Sequence, residues 1–108
     1  MITVKLLKKG ETITGFDVSG HSGYADAGSD IICAAVSSAV GLVETVINDS
    51  MKLSADVEIE PEKARVALDA SSSCDECREV LFGFELHMKA LSEEYPKYIK
   101  VLEVQSNA

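Results

Sequence analysis

Positive charge is scarce in this sequence. Lys and Arg number 10 against 18 Asp and Glu, and the formal net charge of the 108 residues is −8. Phosphate-rich partners require basic residues in excess on some surface. We therefore expect neither direct nucleic-acid binding nor binding to an anionic membrane. An acidic surface attracts a cationic partner. The alternative explanation is that the negative charge only keeps the protein soluble.

Long apolar runs are missing as well. No run approaches the roughly 18 apolar residues that span a bilayer, and the N-terminal apolar stretch is too short and interrupted for a signal peptide. The sequence therefore predicts a cytoplasmic protein. With 46% hydrophobic residues it has enough apolar surface for a core, and we expect one domain over residues 1–108.

Cysteine occurs only three times, which does not suit a disulfide framework in a reducing compartment. Cys74 and Cys77 form a CxxC, a spacing that alone suggests a redox pair or half of a zinc site. No second CxxC exists, and the two acidic residues inside the motif disfavour a thiolate. We predict packing or inert thiols here and no metal site, with thiol-redox chemistry as the alternative.

Hydrophobic patterning predicts the order β-β-α-β-β-α-β. Alternating residues indicate strands over 2–8, 12–18, 55–60, 64–70 and 98–104. Helical periodicity indicates helices over 30–52 and 73–94. The fold class is α/β in the broad sense, a two-layer α+β arrangement with two helices on a mainly antiparallel sheet. Gly15, inside the second strand, indicates a bulge or a close backbone approach.

Both predicted helices have an apolar face. The second helix should start with a capping box formed by Ser73 and Glu76. In the first helix the buried face is predicted as Ile32, Val36, Val40, Val43 and Ile47, widened by Ala35, Ala39, Leu42 and Val46. In the second helix it is predicted as Cys77, Leu81, Phe84, Met88 and Leu91.

The chemically informative segment is residues 20–37, a glycine-rich loop with a histidine followed by a helix with a cysteine in its first turn. A helix N-terminus favours an anionic thiolate, and a nearby imidazole accepts the thiol proton. Cys33 and His21 therefore form a candidate nucleophile and base. Free amides at the helix start are candidate oxyanion donors.

Helical spacing places Asp30, Cys33 and Ser37 along one stripe. Asp30 would orient His21 or cap the helix, and Ser37 would contact the thiol or an incoming peptide. From the residues alone the ordinary interpretations remain open. These are a small buried cysteine, a surface histidine, a first-turn acid and a solvated serine.

The run Gly-His-x-Gly-Tyr-Ala-x-x-Gly-x-Asp-Ile-x-Cys-Ala-Ala-Val-Ser, at residues 20–37, resembles the signature of the ribosomal-processing cysteine protease family Prp. The resemblance implies a homodimeric endopeptidase. It implies a basic substrate, the precursor of the twenty-seventh large-subunit ribosomal protein. The N-terminal extension of this precursor is removed by a cut that follows paired aromatic residues. No metal or organic cofactor is implied.

The resemblance also implies roles for single residues. The catalytic histidine falls on His21 and the catalytic cysteine on Cys33, while Asp30 and Ser37 match supporting positions. The mobile substrate loop falls on Gly20, Gly23 and Gly28, and Tyr24 is a candidate pocket wall because it lies near His21. The alternative function is a non-catalytic, ribosome-associated binding module with an acidic surface.

Overall fold

The structure, a computed structural model, describes residues 1–25 and 30–105. They form five strands and two long helices in the order β-β-α-β-β-α-β, as the sequence predicts. The strands are β1 (Ile2–Lys9), β2 (Thr12–Ser19), β3 (Asp56–Glu60), β4 (Arg65–Asp69) and β5 (Ile99–Gln105). The helices are α1 (Ile31–Glu44), continued by a π-helical segment (Thr45–Ser50), and α2 (Arg78–Glu94).

The strands make one mixed sheet in the order β3-β4-β2-β1-β5. The pairs β1–β2, β2–β4 and β3–β4 are antiparallel, and β1–β5 is parallel. Both helices pack on this sheet and enclose the core with it, where the Phe16 and Phe84 rings stack at 4.4 Å between centroids. The mainly antiparallel two-layer fold is confirmed.

At Gly15, β2 passes close to β4. The register of β1 and β2 shifts between Leu7 and Lys8, opposite Gly15, so a bulge is present. A Cβ atom on Gly15 would collide with the carbonyl oxygen of Leu68. The sequence predicted a bulge or a close approach here, and both occur.

Helix α1 turns its predicted face into the core. The buried residues of α1 and its π-helical continuation are Ile32, Val36, Val40, Val43 and Ile47, as predicted. The widened face is wrong at one position, because Leu42 is 65% exposed. Residues on the far side of a helix cannot reach the single sheet below it, so the apolar stripe that is buried is narrower than the apolar stripe in the sequence.

The predicted capping box of α2 is wrong. Ser71–Ser73 form a 3-10 turn, and the α-helix begins only at Arg78. The Ser73 hydroxyl lies 3.9 Å from Cys77 Sγ instead of capping the helix. Residues 74–77 form turns, and the Ser73 amide donates to the Ala70 carbonyl at 3.0 Å, so the backbone here is held outside the α-helix. Cys77 is fully buried, as predicted. Of the predicted face, Leu81, Phe84 and Met88 are buried and Leu91 is partly buried.

One helical stretch meets the length and composition of a membrane span. Ile31–Ser50 has 20 residues with a mean hydropathy of 1.8, and 28% of the window is buried inside the protein. Core helices of soluble proteins have the same properties, and α1 contributes a full row of residues to the core. The expectation of no membrane binding stays a prediction.

Candidate active site

Asp30 starts α1 and fixes the position of Cys33. Its Oδ1 accepts hydrogen bonds from the backbone N–H groups of Ile32 and Cys33, both at 3.0 Å. Cys33 is then the third residue of the helix, in the first turn, where the helix dipole favours negative charge. Of the two roles predicted for Asp30, the structure shows the cap.

The cap also changes the expected oxyanion donors. Two of the amides at the helix start, those of Ile32 and Cys33, already donate to Asp30. They are therefore not free to receive a substrate oxygen. The prediction that free amides at the helix start are oxyanion donors is therefore wrong for these two, because a buried carboxylate needs them as partners.

The loop after β2 folds back onto the helix start. The backbone N–H of Ser22 donates to Cys33 Sγ at 3.4 Å. The Ser22 hydroxyl donates to Asp30 Oδ2 and accepts from the backbone N–H of Tyr24 at 3.0 Å. The residue that follows His21 in the chain is thus bonded both to the candidate nucleophile and to the residue that caps its helix.

The backbone of His21 is held from the other side. The Met1 amino group donates to the His21 carbonyl at 2.5 Å, and the Gly20 N–H donates to the Ala64 carbonyl at 3.1 Å. Gly20 has φ +93°, and a Cβ atom there would lie 2.5 Å from the Met1 carbonyl oxygen. Glycine is therefore required for the chain to turn into the His21 position.

His21 and Cys33 line the same groove, which has a volume of about 490 Å³. One wall is a face of α1 that runs from Cys33 past Ser37 and Gly41 to Glu44. The opposite wall comes from the strands and the turn between β3 and β4. The residues on it are Ile2, Val18, Gly20, Ile59, Pro61, Ala64, Arg65 and Val66. The predicted pair and Ser37 thus share one solvent-accessible surface.

Asp30 is an anion in this arrangement. The hydrogen bond from Ser22, together with that from the Cys33 amide, holds the pKa of the Asp30 carboxyl below its usual value, although burial acts in the opposite direction. An acceptor-only carboxylate suits the helix cap. Among the residues described, it bonds to Ser22, Ile32 and Cys33, and not to His21.

Of the remaining predicted loop residues, Gly23 and Tyr24 are not among the residues that line the groove, so the structure does not place Tyr24 in its wall. Gly23 has φ +75°, and a Cβ atom there would meet no atom within 4 Å. Tyr24 is 47% exposed and packs edge-on against Tyr98, with ring centroids 5.4 Å apart. Gly28 lies outside the described residues.

Ser22 is the site residue that the sequence analysis missed. A serine in a glycine-rich loop is ordinarily solvated, and its spacing of eight residues from Asp30 belongs to no local hydrogen-bonding pattern. Only the folded loop brings the two side chains together, so no signal in the sequence marks the pair.

The CxxC lies away from this groove. Burial raises the pKa of the Cys77 thiol, and Glu76 and Cys74 act in the same direction, while a hydrogen bond from Ser73 opposes them. Cys74 borders a larger concavity of about 870 Å³ that is lined mainly by β2, β3 and β4, and neither histidine is on its surface. Within residues 1–25 and 30–105, no group of three or more His, Cys, Asp or Glu is placed to hold a metal ion.

The chain is similar to known proteins in its family and in its fold. A search of curated protein sequences finds no significant match. Among solved structures, SMU.848 from Streptococcus mutans is 19% identical with a TM-score of 0.85, over 98% of this chain and 96% of that one. The essential ribosomal processing protease Prp from S. aureus, in complex with a covalently linked product peptide, is 23% identical with a TM-score of 0.81. That match covers 96% of this chain and 100% of the other.

The same S. aureus protease in complex with a substrate peptide has a TM-score of 0.78 and 20% identity, with 96% and 100% coverage. At these identities the structures establish a shared fold. The family is established separately, by the model described as cysteine protease Prp, which matches residues 1–100. The chain therefore belongs to the Prp family of cysteine proteases.

Proposed function

We propose that the protein is a cysteine endopeptidase in which Cys33 is the nucleophile and His21 the general base. The observation that carries the proposal is the shared groove, which is lined both by His21 and by Cys33, a half-buried cysteine at a helix start. The hydrogen bond from the Ser22 amide to Cys33 Sγ supports the proposal further, because an N–H donor stabilises an anionic sulfur.

In the proposed reaction, His21 accepts the thiol proton and the Cys33 sulfur attacks the scissile carbonyl carbon. The tetrahedral intermediate collapses with loss of the amine, which takes its proton from His21, and a thioester to Cys33 remains. A water molecule deprotonated by His21 then attacks the thioester. The acid product leaves, and the sulfur regains its starting state.

The shape of the groove supports an extended peptide as substrate. From Cys33 to Glu44 the helix rises about 16 Å, at roughly 1.5 Å per residue. That distance accommodates about five residues of extended chain at roughly 3.3 Å each. Val36 and Val40 are apolar residues in the wall of the groove. A peptide of alternating apolar and polar residues fits such a surface.

Charge supports a basic substrate. Glu44 lines the groove, and Arg65, which lines it too, is already paired with Asp17 at 2.9 Å and Glu60 at 2.5 Å. The whole chain carries a formal charge of −8. We propose that the substrate is the basic precursor of the twenty-seventh large-subunit ribosomal protein and that the reaction removes its N-terminal extension. The S. aureus relative is a ribosomal processing protease, which agrees with this assignment.

We also propose a homodimer, which the family resemblance implies, and a cytoplasmic location, which the sequence patterning favours. Light scattering of the purified protein tests the first, with twice the chain mass of 11.6 kDa as the expected result. Fractionation of cells that express the untagged chain tests the second.

The decisive experiment pairs cleavage with thiol mapping. The purified chain should cleave a precursor peptide that spans the extension and the mature N-terminus, and Cys33→Ser should abolish cleavage while the fold is retained. Cys74→Ser is the matched control, because Cys74 is also half-buried but lies outside the groove. Its turnover should equal that of the unmodified chain.

Limiting iodoacetamide at near-neutral pH should label Cys33 first, and His21→Ala should slow that labelling. Retained turnover in Cys33→Ser would remove this residue from the mechanism. Preferential labelling of Cys74 or Cys77 would favour thiol-redox chemistry. The absence of any fast cysteine, together with no cleavage, would favour the non-catalytic binding module.

A further inference from the structure

Ser22 is unusually buried for its place in the chain. It is 4% exposed, whereas His21 before it and Gly23 and Tyr24 after it are exposed. Its hydroxyl has two partners, since it donates to Asp30 Oδ2 and accepts from the Tyr24 amide at 3.0 Å. A hydroxyl that is removed from water and hydrogen-bonded within the protein indicates a fixed position for Ser22.

Three hydrogen bonds close a ring around the candidate nucleophile. The Cys33 amide donates to Asp30 Oδ1 at 3.0 Å, the Ser22 hydroxyl donates to Asp30 Oδ2, and the Ser22 amide donates to Cys33 Sγ at 3.4 Å. Two of the three bonds end on an ionised carboxylate and are therefore the strong members of the ring. The third bond, to sulfur, is the weak member and depends on the other two for its geometry.

We propose that Ser22 is a positioning residue, whose hydroxyl ties the His21 loop to the helix cap and thereby holds the Ser22 amide against the Cys33 sulfur. This inference rests on the proposed function, because it concerns the state of the same nucleophile. Ser22 acts through Asp30 and through its own backbone, and its side chain need not touch the substrate.

The consequence of losing the hydroxyl follows from the ring. Asp30 loses one donor but keeps its two amides, so the helix still starts at the same residue. Among the residues described, the loop then has no hydrogen bond from one of its own side chains to the helix start. The Ser22 amide then leaves the sulfur, and His21 moves with it because the two are adjacent in the chain. Substrate contacts along α1 are unaffected.

The test compares Ser22→Ala with Ser92→Ala. Ser92 is the control because its hydroxyl donates a hydrogen bond within the protein, to the Lys89 carbonyl at 2.8 Å, and Ser92 does not line the groove. Ser22→Ala should lower kcat about 10- to 100-fold, the effect of losing one hydrogen bond to a charged group, while KM changes less than about twofold. Ser92→Ala should leave both constants unchanged.

A second readout does not depend on turnover. The rate of Cys33 alkylation by iodoacetamide, measured across pH, should rise at a higher pH in Ser22→Ala than in the unmodified chain, because the anionic sulfur has lost a donor. A role confined to stability would lower the melting temperature and leave this profile in place.

The route through Asp30 is tested by a double-mutant cycle. In an Asp30→Asn background the charge that Ser22 binds is already absent, so adding Ser22→Ala should reduce kcat by less than about twofold further. Ser22→Thr and Ser22→Val, which match each other in shape, give the same comparison if Ser22→Ala does not fold. The threonine variant should retain activity, and the valine variant should lose it.

The outcomes separate this inference from the proposed function. If the unmodified chain cleaves its peptide and Ser22→Ala has the same kcat and the same alkylation profile, the positioning role is overturned. Fully multiplicative losses in the cycle would also overturn it, because they would mean that Ser22 acts independently of Asp30. A chain that never cleaves and has no fast Cys33 would instead refute the proposed function.

Discussion

A glycine within α1 allows the proposed path of the substrate to be tested without loss of stability. Gly41 lines the groove, lies in the helix with ordinary backbone geometry, and a Cβ atom there would meet no atom within 4 Å. Gly83 in α2 has the same properties but does not border the groove. The two glycines are therefore matched sites that differ in their relation to the candidate active site.

Replacement by alanine should stabilise the protein at either position. Alanine in a helix interior is about 0.5–1 kcal/mol more favourable than glycine, and neither site has an atom for the new methyl group to clash with. At about 4–8 °C per kcal/mol for a domain of this size, the melting temperature should rise by about 2–8 °C. Thermal unfolding followed by circular dichroism measures this rise.

Replacement by leucine should separate stability from activity. Leucine is nearly as good a helix former as alanine, so Gly41→Leu and Gly83→Leu should both remain folded. Only Gly41→Leu adds a side chain to the groove. Displacing one apolar substrate side chain costs about 1.5–3 kcal/mol, which is about 10- to 100-fold in kcat/KM. Gly83→Leu should cleave the precursor peptide as the unmodified chain does.

Equal cleavage by Gly41→Leu and Gly83→Leu would refute the reasoning, because it would mean that the substrate does not run along α1. A loss in both variants would indicate a general effect on the helices. A fall in melting temperature for Gly41→Ala would show that the space around this position is not open in solution. The proposal that a substrate runs along α1 would then have to be abandoned.

Three further predictions concern the rest of the molecule. Met88→Ala removes a fully buried side chain and should lower the free energy of unfolding by about 2–5 kcal/mol, measured with denaturant. Glu85 is buried, which opposes its charge, but hydrogen bonds from Lys89 and Lys8 prevail and hold its pKa below the usual value. The stability it contributes is therefore present above the unfolded-state pKa and is lost as the pH falls through the folded-state pKa, so Glu85→Gln should flatten the acid side of the stability profile; an unchanged profile would contradict this. Cys77, with its pKa raised by burial, should be alkylated only at the rate of unfolding, and labelling in the folded protein under native conditions would disprove it.

The sequence predicts the fold well because the fold depends on local patterns. The spacing of Ile32, Val36, Val40 and Val43 can be satisfied only by a helix with one buried face, and each of the four is buried. Alternation does the same for the strands. Failures occur where a local pattern competes with tertiary packing. Ser73 and Glu76 match a capping box, yet Ser71–Ser73 form a 3-10 turn and the helix begins only at Arg78.

The candidate site could be predicted in its residue types but not in its connections. His21 and Cys33 stand out because imidazole and thiol carry chemistry, and Asp30 stands out because it precedes a helix. The bond from Ser22 to Asp30 crosses eight residues of irregular chain, for which no periodicity exists. Whether the first-turn amides are free or already used likewise depends on a side-chain rotamer that composition does not determine.

The parallel pairing of β1 with β5 has a consequence for biosynthesis. β1 contributes Ile2, Val4 and Leu6 to the core, and its neighbour on one side, β5, follows the other four described strands in the chain. A nascent chain that has emerged only through α2 therefore leaves one edge of β1 open. Completion of the sheet has to wait until Ile99–Gln105 leaves the ribosome, and contacts between strands so distant in the chain form slowly.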